Sequence, residues 1–288
     1  MKRWRWLIAS AVVLALLMVC LGGVTTALAK GQAGDVPAPG PSPEGIAVKA
    51  FVCQERGYGK PGGIEVAVAG LTSDPSYSYS GIRWQDPNGA DNSGIPYYVN
   101  PNFSTYKSPN LTKTAARTAI AASFKTWVDA QDIYVLSPEG NLLYKDAGLT
   151  TLTGGRLDGK NVISWKPLST GTIAVTYVWY YTATKYIAEF DILLNNSYAW
   201  TYTEPNLTGV AYDPNGPADD GVNGTYGDPL NTGVARTFDV RDIMTHEAGH
   251  TLMLDDIYDA SHCNLTMYGY GDYAELKKDT LALGDDRG

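Results

Sequence analysis

Histidine is scarce in this sequence, with three copies among 288 residues, and cysteine is no more frequent. So few cysteines exclude a dense disulfide scaffold, so the fold must rest on packing. Positive charge is also in deficit, with 22 basic against 30 acidic residues and a net charge of −8. That balance argues against a nucleic-acid partner, and it is equally a plain solubility feature. Phenylalanine is sparse at 5, whereas tyrosine reaches 20. No internal repeat is present. What remains is ordinary for a soluble protein: 44% hydrophobic residues and enough length for one or two domains with a sizeable core.

The one long apolar run opens the chain, MKRWRWLIASAVVLALLMVCLGGVTTALA at 1–29. Lys2, Arg3 and Arg5 precede the apolar stretch Leu7–Leu21, and Ala27-Leu28-Ala29 supplies small residues. This order predicts a signal peptide cut after Ala29 and a secreted or extracytoplasmic product. The rival expectation is an uncleaved anchor, since 7–29 is long enough to span a bilayer. Cleavage leaves 19 basic against 30 acidic residues, a net charge of −11, and two cysteines, Cys53 and Cys263. These two pair, stay as thiols, or place Cys53 over a metal as an inhibitory thiolate.

Residues 30–45 are rich in Pro, Gly and Ala and read as a linker. IEVAVAGL (64–71) has strand character, as a small pro-segment or an added strand, so 30–80 is set apart from a main domain at 81–288. That domain opens with the strand IPYYVN (95–100). Asn110 or Thr112 can cap the helix that follows, in which Ala116, Ile120, Phe124 and Trp127 form an apolar stripe. Strands are expected at 133–137, 141–145, 161–165, 172–182 and 186–194, the last two joined as a hairpin through 183–185. A long loop at 205–234 carries Asp213, Asn215, Asp219, Asp220 and Asp228 among glycines. Oxygen ligands on such a loop suit Ca²⁺, and a hydrated acidic loop explains them as well.

After the loop, FDVRDIMTHEAGHTLML has helical periodicity with Asp239 as N-cap. His246 and His250 stand at i and i+4, one turn apart on one face, where two imidazoles can hold one Zn²⁺. Glu247 lies beside them and can take a proton from a metal-activated water. A catalytic zinc needs a third protein ligand, and Asp255, Asp256, Asp259 and His262 are within reach in sequence.

HEAGHTLMLDD resembles the metzincin pattern H-E-x-x-H-x-x-G-x-x-[HD], and it places the third ligand at Asp256, with aspartate as in the snapalysin-like members. The pattern's glycine falls at Met253. That glycine ends the helix in a left-handed turn, a conformation that costs a methionine about 1 kcal/mol. CNLTMYGY (263–270) resembles the Met-turn of the matrixin branch, with Met267 as the turn methionine, Tyr268 after it and Gly269 in place of proline. Tyr270 is a candidate for oxyanion stabilisation. The stretch from 171 resembles the matrixin-like edge strand and hairpin. It implies that Thr172, Ile173, Ala174 and Val175 line a cleft and pair with an extended peptide.

The resemblance covers 95–288, and it is strong at 246–268. It implies an α+β metzincin-like zincin fold: a twisted mixed sheet of about five strands packed on two main helices, with a short part after the Met-turn. A closing helix is expected beyond LALGDDRG (281–288), where the chain stops. The implied activity is that of an exported zinc endopeptidase acting on peptide or protein substrates, with Glu247 as general base. The alternative is a non-catalytic surface or adhesion module that keeps the fold.

Overall fold

The computed structural model describes residues 38–58, 79–87, 89, 93–130, 143–203, 234–259, 262–263, 265–279 and 281. The leader at 1–29, the strands expected at 64–71 and 133–137, and the acidic loop with Asp213, Asn215, Asp219, Asp220 and Asp228 lie outside these residues. No helix among the described residues is long and apolar enough to cross a membrane.

In chain order the elements are β1 (Ile46–Glu55), β2 (Ile95–Asn100), α1 (Lys113–Ala130), β3 (Tyr144–Leu149), β4 (Asn161–Lys166) and β5 (Thr172–Tyr181). Then come β6 (Ile187–Asn195), β7 (Trp200–Thr201), β8 (Phe238–Asp239), α2 (Val240–His250) and β9 (Tyr270–Gly271). The class is α+β, as expected. The main sheet has seven strands rather than about five, in the order β3-β2-β4-β6-β5-β1-β9. β3, β2, β4 and β6 run parallel, and β5 is antiparallel to both β6 and β1.

β1 is the main departure from the sequence reading. Residues 46–55 do not belong to a detached segment. They pair with β5 from Ile46↔Tyr181 to Gln54↔Thr172. Consequently Thr172, Ile173, Ala174 and Val175 are buried inside the sheet and are not at its edge. The apolar run IAVKAF was masked by the Pro- and Gly-rich stretch before it, which draws a boundary where the backbone has none.

Burial on both faces explains the unbroken apolar character of β5. Ala174, Val178 and Tyr180 face the helices, while Val175, Tyr177 and Trp179 build a second cluster on the opposite face. α1 is capped by Thr112, whose Oγ1 accepts from Ala115 N at 3.0 Å. Its stripe of Ala116, Ile120, Phe124 and Trp127 is buried. α2 starts at Asp239, whose carboxylate accepts from Arg241 N at 2.8 Å and Asp242 N at 3.3 Å. Trp127 Nε1 donates to Thr245 O at 2.8 Å and Ser123 Oγ to Arg241 O at 3.1 Å, which ties α1 along α2.

Candidate metal centre

α2 brings His246 and His250 together as the i, i+4 spacing requires, with their Nε2 atoms 3.1 Å apart. The helix ends at His250, and the chain reverses through Met253 at φ 63°. This is the left-handed bend expected at that position, made by a fully buried methionine. The reversal returns Asp256, whose Oδ1 lies 3.2 Å from His246 Nε2 and 3.5 Å from His250 Nε2. A tetrahedral ion with ligands at about 2.0–2.1 Å has ligand–ligand edges of about 3.3–3.4 Å, so the three atoms fit one ion. His246, His250 and Asp256 therefore form a group that can hold a metal. Among the described residues, no such group includes Asp255, Asp259 or His262. Asp255 instead pairs with Lys49 of β1.

Each member of the triad is oriented from behind. His246 Nδ1 meets Thr266 O at 2.7 Å, and His250 Nδ1 meets Leu254 O at 2.7 Å. Carbonyl acceptors hold the protons on Nδ1 and leave both Nε2 lone pairs facing Asp256. Tyr258 donates its hydroxyl to Asp256 Oδ2 at 3.3 Å, which leaves Oδ1 turned to the histidines. A side chain at Gly269 would come within 2.6 Å of the Tyr258 ring and 3.0 Å of Asp256 Cβ. Glycine there, in place of proline, makes room for that pair.

Met267 lies beneath the helix. A methyl group at Gly249 would collide with Met267 Sδ and stand 2.7 Å from Trp127 Cζ2. Tyr268 is buried on the same turn, and Tyr270 stands edge-on to Tyr258 with ring centroids 5.2 Å apart. Lys278, fully buried, clamps this turn by donating Nζ to Tyr268 O and Tyr270 O, both at 2.7 Å.

Glu247 is wholly buried. Thr176 of β5 donates to its Oε2 at 2.5 Å, while Oε1 has no hydrogen-bond partner. Burial pushes its carboxyl up to about 7. Burial likewise lowers His246 to about 4. His250 moves up from 6.5: burial opposes this, and the Asp256 charge outweighs it. The Asp256 carboxyl falls well below its usual range because the two histidines override the effect of burial.

β1 closes the site from above. The Phe51 ring stacks on His250 with centroids 4.2 Å apart and planes 11° apart. The Cys53 thiol is free and buried, so it is not paired with Cys263. It joins His246 and Glu247 in a second group whose ligand atoms lie within 4.8 Å of one another. The sequence singles out Cys53 but gives no signal for Phe51, Thr176, Tyr258 or Lys278. No short motif marks these four, and a Lys-Lys-Asp run reads as solvated surface. No protein-family model matches the sequence, and no curated protein matches it.

Proposed function

We propose that the chain is an exported zinc endopeptidase of metzincin type, nearest the matrixins, with Asp256 as third ligand in the snapalysin-like manner. The observation that carries this reading is the buried Oε1 of Glu247, left without a partner beside three ligand atoms spaced for one ion. The block β3-β2-β4-β6-β5 on α1 and α2 supports the expected five-stranded unit, to which β1 and β9 are additions. The donor set, two imidazoles and one carboxylate, suits Zn²⁺ with an open fourth position. When bound, zinc would polarise the scissile carbonyl and make a water acidic. Glu247 takes the proton of that water through Oε1 while Thr176 fixes Oε2. As the C–N bond breaks, the same carboxyl delivers the proton to the leaving amine. Export rests on the 1–29 leader, and Ca²⁺ on the 213–228 loop.

A specific observation favours a second reading. His246, Glu247 and His250 are all at 0% exposure beneath β1, as in a metal-holding module without catalysis. Peptide reaches Glu247 only where β1 gives way. The two readings are separated by zinc content and casein cleavage, with and without a chelator, in the full-length chain and in Phe51→Ala. Glu247→Gln introduced into Phe51→Ala should keep its zinc and lose activity by roughly 10²–10⁴-fold. Zinc-loaded Phe51→Ala protein with no chelator-sensitive cleavage of any peptide library would rule out the peptidase.

A further inference from the structure

We infer that Lys278 is a positioning residue of the metal centre: its buried ammonium fixes the turn at 265–270 and so sets the places from which His246 and Asp256 face an ion. This rests on the reading of the triad as a metal centre, and it holds whether or not the chain cuts peptides.

Five successive carbonyls of that turn each have a partner. Thr266 O meets His246 Nδ1 at 2.7 Å, and Met267 O accepts from Ile257 N at 2.9 Å. Tyr268 O and Tyr270 O both accept from Lys278 Nζ at 2.7 Å. Between them, Gly269 O accepts from Gln54 N of β1 at 3.1 Å. The first two bonds reach the triad, since Thr266 O stands behind His246 and Ile257 adjoins Asp256. Gly269 N also donates to Ile257 O at 3.0 Å, so the residue after Asp256 is held by the turn through both its backbone polar groups. One turn therefore orients two of the three members of the triad, and Lys278 takes the two carbonyls at its far end.

Lys278 also reaches the histidine helix. Its backbone N donates at 2.6 Å to Oδ1 of Asp242, which lies in the first turn of α2, four residues before His246. The main chain of the lysine is thus tied to the element that carries His246, and its side chain to the turn that holds Asp256 in place. The separation of those two parts decides how far His246 Nε2 lies from Asp256 Oδ1, which is 3.2 Å.

The charge has no other evident reason to be inside. Lys278 is 0% exposed, and lysine is almost never fully buried unless paired. Burial opposes its charge, but Cys53, Glu275, Asp242 and Asp256 nearby move its pKa above the usual lysine value. An ammonium serves two carbonyls at once through separate N–H groups, which an apolar side chain of that length cannot do.

The test uses the full-length chain, refolded with Zn²⁺ against graded chelator. Lys278→Met keeps the length and loses the donors, whereas Lys278→Arg keeps charge and donors. Leu193→Val, in the cluster on the opposite face of the sheet, disturbs packing away from the turn. Lys278→Met should lose zinc affinity by about tenfold or more, the range for groups that orient a ligand from behind. Lys278→Arg should recover most of it, and Leu193→Val should match wild type. With Co²⁺ in place of zinc, Lys278→Met should change the visible spectrum, which reports coordination geometry, and Leu193→Val should not. Asp242→Ala frees the other end of the clamp and should also lose affinity, while Asp242→Asn, which keeps the acceptor, should not. That pair decides the matter if Lys278→Met does not fold. Affinity and cobalt spectrum unchanged in Lys278→Met, or affinity unchanged in Asp242→Ala, overturn the inference. An equal loss in Leu193→Val also overturns it, because the lysine then serves only general stability. Wild type that holds no zinc after refolding removes the metal centre, and the inference with it.

Discussion

Tyr258 shows how much of the site depends on groups behind the ligands. Its hydroxyl is the donor on the oxygen of Asp256 that faces away from the histidines. Losing a partner of this kind weakens metal binding by about 10–100-fold. Tyr258→Phe should therefore keep its circular dichroism and lose metal affinity in that range, measured by competition with a chelator; unchanged affinity would remove its role. Acid should act on the ligands in a fixed order. Protons and metal compete for the same Nε2 lone pairs, so metal retention is full at high pH and falls as pH falls. His250 protonates first, because its pKa is raised, and His246 only near about 4. Dialysis against buffers from pH 8 to pH 4 should show metal loss that grows as pH falls and is steepest toward pH 4. Full retention at pH 4 would contradict this order.

At the level of elements, α2 must pack closely on the turn below it. Gly249 lets the helix approach Met267 and Trp127 at once. Gly249→Ala gains about 1 kcal/mol of helix propensity but forces a core methionine and an indole apart, a cost of about 1–3 kcal/mol. The net outcome should be a lower denaturant midpoint with an unchanged slope, and a higher midpoint would show that the turn gives way freely. The helix itself was legible in the sequence: Asp239 as cap, the two histidines on one face, and the bend at Met253. These are local features, set by residues within a few positions of one another. The order β2, α1, β4, β5, β6 was legible for the same reason, through alternation and apolar stripes. β1 was not, because its place depends on a ladder to residues far along the chain.

For the whole molecule, the metal should act as a tie. His246 and His250 sit on α2, Asp256 follows the reversal at Met253, and the carbonyl behind His246 belongs to the turn at 266. An ion bound only by the native arrangement adds about 2.7 kcal/mol at a free concentration one hundred times its Kd. Thermal scans of the chain refolded with Zn²⁺ should show a higher melting temperature than those of the chain refolded with chelator, and Asp256→Ala should lose that difference. A melting temperature indifferent to zinc would mean that the triad does not hold the ion in the folded state. The sequence brought together, through spacing and resemblance, the three residues that can hold a metal, but it could not show that the site is roofed.

The roof also has a place in time. β1 leaves the ribosome well before its partner β5, which is made more than a hundred residues later, and α2 follows later still. Contacts so distant along the chain form late in folding. An ion would therefore have an open route to the triad while β1 is still waiting for its ladder, a route that would shut once the strand docks. Metal supplied during synthesis or refolding should load this protein far faster than metal offered to the finished fold.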